Sequence, residues 1–422
     1  MYQGLLVKDF RSAEYWIRST LLLLMLISFK AHADQNVESM QEQISKQQAL
    51  IDSLQLETEL LKKKNNRTEN DDSLSEYEAD KKYVLRKWLN GEITLSGRIH
   101  RVVMQVDDGV SKNNFFMDSD QGPTMLRMDI SAFQNSGWLV SGALEIGIQN
   151  KRSFHVSQNT PNPGTDIQVR EANVNLNSKL FGKFSLGRGI SAAWIAPEID
   201  LSGTVPAAML SIGTLAPGML FTDRSNNQLT DIRVHNHFVD TERLLLVDRF
   251  RYDSPSFGNN LQVSGTIAAD SRWDMALRYY PTLKNWTLRS AVTYLHKPFQ
   301  GLDNRIELGV SARHNETGLS LTLGGAYGDR NDGEISRGYI GKLGWLINLN
   351  SLGNTAFSID YSKANDVRIL GDSSKSVGLF AYQKWDNIGL DLYTGYRTYE
   401  VTRPDINLFP LDIFVFGIIF NF

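Results

Sequence analysis

From residue 92 to the C-terminus the chain alternates between polar and apolar residues, the period of a β-strand with two unlike faces. In the first such segment Ser96 and Arg98 share one face, while Leu95 and Ile99 share the other. The segments with this pattern span residues 92–104, 123–133, 137–150, 165–177, 181–189, 242–253, 259–269, 271–280, 285–296, 302–314, 317–327, 335–347, 354–362, 374–385, 387–399 and 410–422. The alternation therefore predicts an all-β region of sixteen strands.

The composition of the two faces favours a membrane barrel over a soluble sandwich, in which strands also alternate. The polar faces carry charged residues in mid-strand, as a water-filled lumen allows, and aromatic residues lie near the ends of the apolar faces. These aromatic residues are Trp138, Trp273, Trp286, Trp345, Tyr361 and Tyr396. An even number of strands can close without free edges, and sixteen strands leave an aqueous channel. We therefore predict a 16-stranded antiparallel transmembrane β-barrel over residues 92–422.

A long segment without alternation, about residues 190–228, separates the predicted strands 181–189 and 242–253. A loop of this length inside a strand-dense chain is usually functional or disordered. Its apolar residues, among them Met209, Leu210, Ile212, Leu215 and Phe221, argue against disorder. We expect a packed loop.

The first 91 residues contain three different kinds of sequence. Residues 1–33 have the basic, apolar and Ala-His-Ala order of a secretory signal peptide, with cleavage expected before Asp34. An uncleaved anchor is the alternative. Residues 34–64 carry apolar residues at heptad spacing and predict a short α-helical coiled coil, for which a single surface helix is the alternative. Residues 65–91 predict a flexible linker, because residues 65–82 carry many charges and almost no apolar residue, and the Tyr83–Leu89 stretch could dock on the barrel rim.

Composition and charge remove several classes of function. The net charge of −3 suggests no nucleic-acid partner, and the chain has no cysteine for disulfides, thiol catalysis or metal ligation. The mean hydropathy of −0.28 is too polar for a helical membrane protein but is typical of a barrel whose alternate residues face water.

No group of residues forms a recognisable catalytic motif. The closest histidine pair, His235 and His237, would share a face on a strand and could hold a metal, although a solvated loop is the more ordinary explanation. We therefore expect no enzymatic activity, no cofactor and no metal site. A barrel enzyme is the alternative, but it would need a triad that the sequence does not offer.

Two motifs on either side of the long loop carry a resemblance to a known family. Residues 181–188 read Phe-Gly-Lys-Phe-Ser-Leu-Gly-Arg, and residues 252–257 read Tyr-Asp-Ser-Pro-Ser-Phe. In this order, with a long loop between them and a C-terminal Phe422, they resemble the Gram-negative trimeric porins of the general diffusion type. Leu245 and Asp248 stand where that family has Arg and Asn. The resemblance covers roughly residues 92–422 and implies an inward-folded constriction loop and a homotrimer.

The resemblance also implies a set of pore-constriction residues. Basic residues of the first, second and fourth strands correspond to Arg98, Arg127 and Arg170, and acids of the inward loop correspond to Glu198 and Asp200. A ring of such charges at a narrow neck filters ions by sign. Replacing Glu198 by Gln should then shift selectivity towards anions.

The alternation independently assigns side chains to the lumen. It places Arg98 and Arg127 inward, but it puts Arg170 on the face opposite Glu171 and Asn173. Further charges expected to face the lumen are Asp129, Glu145, Arg289, Arg305, Glu307 and Arg313.

The last predicted strand is apolar on both faces. Its alternating aromatic residues end in Phe422 and resemble the assembly signal that the barrel-assembly machinery reads in outer-membrane barrels. The second apolar face, which includes Ile413 and Val415, needs cover from within the lumen, and Tyr83–Leu89 is one candidate.

These observations favour an outer-membrane porin of a Gram-negative bacterium that passes small hydrophilic solutes and ions by diffusion. One alternative is a substrate-selective anion channel of the phosphate or dicarboxylate type. Another is a structural outer-membrane anchor that tethers the envelope through its coiled coil. The expected partners are outer-membrane lipid, lipopolysaccharide and copies of the same chain. The coil, expected in the periplasm, is available to a periplasmic protein or to peptidoglycan.

Overall fold

The fold is described from a computed structural model of the chain. The structure describes residues 83–88, 91–133, 137–194, 196–238, 246–258, 260–297 and 302–422. The predicted signal peptide, the coiled coil and most of the predicted linker lie outside these residues.

The described residues form twenty strands and two 3-10 helices. The strands are β1 (Tyr83–Trp88), β2 (Gly91–Asp107), β3 (Lys112–Asp118), β4 (Met125–Phe133), β5 (Trp138–Asn150), β6 (Thr165–Ser178), β7 (Gly182–Ile190), β8 (Leu220–Asp223), β9 (Gln228–Arg233), β10 (Leu246–Asp253), β11 (Leu261–Ala268), β12 (Trp273–Tyr279), β13 (Trp286–His296), β14 (Leu302–His314), β15 (Leu319–Arg330), β16 (Ile335–Asn350), β17 (Gly353–Asn365), β18 (Ser373–Trp385), β19 (Leu390–Thr402) and β20 (Leu411–Asn421). The 3-10 helices are η1 (Ile212–Thr214) and η2 (Val234–Asn236). No helix in this part of the chain is long and apolar enough to cross a membrane.

Sixteen of the described strands close into one antiparallel barrel, which confirms the predicted fold class and strand count. β2 pairs with β4 over residues 91–98 and with β20 over residues 98–107, so the first and last barrel strands complete the ring. β7 pairs with β10 directly, although 55 residues, 191–245, separate them in the chain. Each remaining barrel strand pairs with its neighbours in sequence. Closure leaves no long unpaired edge, as a sheet in lipid requires.

The two ends of the barrel have connections of different length. Short turns at one end, such as residues 179–181 and 351–352, join β6 to β7 and β16 to β17. The opposite end carries the long connections, which include residues 151–164 and 191–245. The chain enters β2 and leaves β20 at the short-turn end.

The four described strands outside the barrel, β1, β3, β8 and β9, were not predicted as strands. β1 lies within the predicted linker and pairs with the first half of β2, beyond the end of β20. β3 pairs with the second half of β2, so it extends the barrel at the long-loop end. β8 and β9 form a separate hairpin within the 191–245 segment.

The outer surface is apolar and carries aromatic residues near both ends. On β20 the side chains of Phe414 and Phe416 are exposed, while those of Ile413 and Val415 are fully buried on the inner side. Trp138 stacks on Phe181 at the short-turn end, with ring centroids 5.7 Å apart. Further exposed aromatic residues are Trp286, Trp345 and Phe357 towards the same end and Tyr327, Tyr339, Tyr361 and Tyr396 towards the other. This is the outer surface expected of a barrel in a membrane.

The inner side of β20 is covered by the long loop, which folds into the lumen. A single buried apolar cluster joins Val415 and Ile413 of β20 to loop residues Leu210, Phe221 and others. The remaining loop members are Ala207, Ala208, Ile212, Leu215, Ala216, Met219, Ile232, Val234 and Phe238. The strand is apolar on both faces because one faces lipid and the other faces this loop.

Candidate functional site

The inward loop begins against the inner wall of β11 and β12. The backbone N–H of Ala192 donates to Thr266 Oγ1 at 2.7 Å and to Asp274 Oδ1 at 3.2 Å. The N–H of Ala193 donates to the second carboxylate oxygen of Asp274 at 3.2 Å. The side chains of both alanines are fully buried. The start of the loop is thus fixed to the wall through its own main chain.

The middle of the loop lies against β14 to β17. Asp200 accepts from Lys342 Nζ at 2.6 Å, and both side chains are 1 % exposed. Lys342 also donates to the carbonyl of Ala208 at 2.6 Å, so one ammonium group holds two parts of the loop. The N–H of Leu201 donates to Ser311 Oγ at 3.0 Å.

The last part of the loop returns towards the long-loop end of the barrel. The Tyr399 hydroxyl donates to the carbonyl of Ile212 at 2.8 Å, and the N–H of Phe409 donates to the carbonyl of Thr222 at 2.9 Å. The N–H of Arg224 donates to the carbonyl of Asn407 at 2.8 Å. The described loop therefore follows the wall from β11 round to β19 and the β19–β20 connection.

Inward-facing side chains of β4, β5 and β6 form a charged cluster. Arg127 bonds Glu145 at 2.9 Å, Asp129 at 3.0 Å and Glu171 at 3.4 Å. Arg170 bonds the other oxygen of Glu145 at 2.6 Å. Two guanidinium groups thus meet three carboxylates on one part of the wall. The two arginine side chains are each 17 % exposed.

A β-bulge places Arg170 in this cluster, against the face that the alternation assigned to it. Glu145 pairs with Glu171, but the next residue, Ile146, pairs with Val169, so Arg170 is an extra residue on β6. A bulge of this kind lets two successive side chains point to the same side. The assignment of Arg170 to the outer face was therefore wrong.

Arg98 lies at the seam where the barrel closes. Its Nε donates to Asn421 Oδ1 at 3.0 Å, and the side chain is 5 % exposed. Asn421 Nδ2 donates to Asp391 Oδ2 at 3.3 Å, and the Tyr382 hydroxyl donates to the same oxygen at 2.8 Å. Arg98 thus faces inward within a buried polar network.

The loop acid Glu198 is also buried, at 8 % exposure, and accepts a hydrogen bond from the hydroxyl of Ser211 on the same loop. The five predicted constriction residues therefore fall into three groups. Arg127 and Arg170 share the wall cluster, Arg98 lies at the seam, and Glu198 and Asp200 lie in the loop.

The other predicted lumen charges lie on inward-facing positions. Asp129 and Glu145 belong to the wall cluster. Arg305 Nε lies 3.0 Å from Glu307 on the same strand, and both side chains are buried. The Arg289 guanidinium lies over the Tyr280 ring, 5.3 Å from its centroid, and Arg313 is half-buried.

Sequence reasoning did not assign a role in holding the wall and the loop to several buried charged residues. These are Lys342, Arg251, Asp253, Asp274, Arg278, Asp360 and Arg397. Arg397 forms a two-bond ion pair with Asp360, at 2.8 and 2.7 Å. Their inward positions could be read from the alternation. Arg251 bonds Asp253 on its own strand, but the loop groups that Lys342, Asp274 and Arg278 hold come from distant parts of the chain.

The histidine pair does not share a strand face. His235 lies in η2, and the His237 Nδ1 atom bonds the carbonyl of Arg233 at 3.0 Å. Burial lowers the pKa of His237. Among the described residues no group of three or more His, Cys, Asp or Glu side chains could hold a metal ion.

At the C-terminus, Phe422 closes the ring with β2. The N–H of Gly97 donates to the carbonyl of Phe422 at 2.7 Å, and the N–H of Phe422 donates back at 3.0 Å. The aromatic ring lies directly over Gly97, where any side chain would overlap it.

Comparison with known proteins gives a family and a fold. The family model for Gram-negative porins matches residues 79–403. No curated protein sequence matches the chain. Several solved structures are similar at low identity, so the likeness concerns the fold.

The loop L8 deletion mutant of OmpT from Vibrio cholerae has a TM-score of 0.55 and 12 % identity, with 79 % of this chain and 100 % of that chain covered. The anion-selective porin from Comamonas acidovorans has a TM-score of 0.53 and 14 % identity, with 79 % and 100 % covered. In-vitro folded OmpT of Vibrio cholerae in its trimer form has a TM-score of 0.52 and 10 % identity, again with 79 % and 100 % covered.

Proposed function

Because the chain belongs to the Gram-negative porin family and forms an outer-membrane channel, we propose that it passes small hydrophilic solutes and ions by passive diffusion. The observation that carries this proposal is that the inward loop covers one part of the inner wall and leaves another part open. The loop packs along β11 to β19, whereas β4, β5 and β6 carry partly exposed charges of both signs. Water and solutes pass along this charged wall.

The charges of the wall suit weak ion selectivity. The two positive charges of Arg127 and Arg170 meet three negative charges, those of Asp129, Glu145 and Glu171, so the cluster has an excess of only one negative charge and a weak field. Opposed charges at a neck order water and slow apolar solutes, while small ions of both signs still pass.

The constriction residues differ in the exposed fraction of their side chains, and we assign them different roles for that reason. Arg127 and Arg170 are accessible and act directly on passing ions. Arg98, Glu198 and Asp200 are at most 8 % exposed and act mainly by shaping the neck. Neutralising an accessible charge should therefore change selectivity more than neutralising a buried one.

The test is a planar bilayer under a salt gradient, in which the reversal potential gives the ion selectivity. We expect large conductance steps with weak selectivity for the wild type. Arg127→Gln should shift the reversal potential towards cations, and Glu198→Gln should shift it less, towards anions. If Arg127→Gln leaves the reversal potential unchanged, the assignment of the charged wall to the pore is wrong.

A substrate-selective anion channel is a second candidate, which the likeness in fold to an anion-selective porin favours. The same bilayer experiment separates the two functions. Strong anion selectivity, with current blocked by phosphate or a dicarboxylate, would favour the selective channel. The absence of any conductance would favour a structural anchor.

We further propose a homotrimer in the outer membrane, with lipid and lipopolysaccharide around it. The apolar outer surface and the trimer form of a structurally similar porin support this assembly. The barrel-assembly machinery recognises the strand that ends in Phe422, and the predicted coil at residues 34–64 extends into the periplasm. There it binds a periplasmic protein, peptidoglycan or its own copies. Cross-linking of outer membranes tests the assembly, because a monomeric product alone would exclude the trimer.

A further inference from the structure

The last residue of β7, Ile190, and the first three residues of the inward loop, 191–193, meet a row of buried arginines, and we name these four residues the loop root. Arg249 Nε donates to the carbonyl of Ile190, and its Nη1 donates to the carbonyl of Gly187 at 3.0 Å. Arg251 Nη1 donates to the carbonyl of Ser191 at 3.0 Å. Two neighbouring inward positions of β10 thus hold two consecutive carbonyls of the loop root.

The third carbonyl of the root has an arginine of its own, from β12. Arg278 Nη2 donates to the carbonyl of Ala192 at 2.6 Å, and its Nη1 donates to Ser264 Oγ at 2.9 Å. Asp274, two inward positions away on the same strand, accepts the N–H groups of Ala192 and Ala193. Successive main-chain groups of the root are therefore held from the wall by charged side chains.

The wall side chains that hold the loop root are also joined to one another by hydrogen bonds. Arg251 Nη2 bonds Asp253 at 2.6 Å, and Ser264 Oγ donates to the same carboxylate at 2.6 Å while it accepts from Arg278. Arg251 is 2 % exposed and Arg278 is 1 % exposed. A buried guanidinium group is stable only where hydrogen bonds replace its lost hydration. Here the loop carbonyls supply some of these bonds.

We propose that Arg249, Arg251, Arg278 and Asp274 form a clamp that fixes the loop root and so sets the dimensions of the open channel. These arginines are positioning residues for the loop. They do not form a row of binding sites for passing anions, because their side chains are buried away from the water-filled channel. The proposal rests on the channel function proposed above, since the size of the pore has a consequence only if the barrel conducts.

Substitution of Arg278 gives the sharpest test. Arg278→Gln removes the bond to the Ala192 carbonyl and loosens the root, so we expect more current noise in the open state and closure at lower applied voltage. We expect the reversal potential under a salt gradient to stay as in the wild type. If Arg278 instead bound passing anions, Arg278→Gln would shift the reversal potential towards cations and would leave the noise of the open-channel current as in the wild type.

Arg397→Gln is the matched control. Arg397 is as deeply buried as Arg278, but its described polar partners, Asp360 and Ser376, belong to barrel strands. Both variants should lower the temperature at which the folded barrel unfolds on gel electrophoresis, and only Arg278→Gln should change noise and voltage closure. Arg278→Lys keeps the charge and one of the two bonds, so its noise should lie between wild type and Arg278→Gln.

The outcomes separate this proposal from the channel function. A wild-type protein without conductance overturns the proposed function itself. A conducting wild type, with Arg278→Gln indistinguishable from it in noise and voltage closure, overturns the clamp alone. Equal effects of Arg278→Gln and Arg397→Gln on the current also overturn the clamp, because general weakening of the barrel then explains both.

Discussion

At Gly309 the inward loop touches the barrel wall where the wall has no side chain. Gly309 lies on the inward face of β14, and a Cβ atom there would overlap the carbonyl oxygen and backbone of Pro197. The close contact places Glu198 and Asp200 deep against β14 to β16. A single missing side chain thus helps to determine how much of the lumen stays open.

We predict that Gly309→Ala displaces the loop from the wall. Overpacking of this kind typically costs about 1–3 kcal/mol of stability. The unfolding temperature of the barrel should fall, and the single-channel conductance should change because Pro197 moves into the lumen. Gly325→Ala is the control, since its added Cβ meets only an ordinary contact 3.5 Å away, at the carbonyl of Gly338. Equal behaviour of the two variants would contradict the prediction.

The buried ion pair between Asp200 and Lys342 gives a second prediction at this scale. Lys342→Met leaves the Asp200 carboxylate buried without its cation, which should destabilise the protein by about 3–5 kcal/mol. Denaturant unfolding in detergent measures this loss. The double variant with Asp200→Asn and Lys342→Met should recover part of it, because no uncompensated charge remains. If the double variant is less stable than the single one, burial of the charge is not the cause.

At the scale of the element, the bulge in β6 decides which side chains reach the lumen. On either side of it the strand alternates regularly, with Val169 and Ala172 exposed on the outside and Gln168 and Asn173 inside. The extra residue, Arg170, adds a second inward charge beside Glu171 without moving the outer face. A regular strand could not place both residues on one side.

Deletion of Arg170 should therefore be tolerated, because it restores a regular strand with both faces intact. Deletion of Val174, in the regular part of β6, should prevent folding, because it turns the apolar side chains of one half of the strand into the lumen. Heat-modifiable migration of outer-membrane fractions measures folding of both variants. Failure of the Arg170 deletion to fold, with the Val174 deletion folded, would refute the register described here.

At the scale of the whole molecule, the sixteen described barrel strands lie between Gly91 and Asn421 and close on themselves. The ring is completed by pairing of β2 with β20 and by the contact of Phe422 with Gly97. β1 adds one further pairing, with the first residues of β2. The strand pairings that close the ring are made by residues from Gly91 onwards.

We accordingly predict that a chain lacking residues 34–82 still forms a conducting barrel. The predicted signal peptide at 1–33 is kept so that the chain reaches the envelope. Conductance per channel should match that of the full chain, whereas binding to a periplasmic partner or to peptidoglycan should be lost. Loss of the folded barrel on this truncation would show that the predicted domain boundaries are wrong.

The sequence by itself determined the barrel, because a strand with lipid on one side and water on the other must alternate with period two. The sixteen predicted segments agree with the observed strands to within a few residues, and the inward directions of Arg98 and Arg127 followed from the same rule. The family motifs on each side of residues 190–228 also predicted that this segment folds inward.

Only the tertiary structure decided what the inward side chains contact. The bulge at Arg170 breaks the period locally: the apolar positions shift phase between Val169 and Ala172, and only the pairing with β5 shows that Arg170 is the extra residue and that it faces the lumen. The partners Asp200 and Lys342 are 142 residues apart in the chain, so their pairing depends on how far the loop extends along the wall. The inner face of β20 is apolar for the same reason, since the loop that covers it arrives from a distant part of the sequence. Local periodicity fixes which way a side chain points, whereas closure of the barrel and the path of the loop fix what it meets.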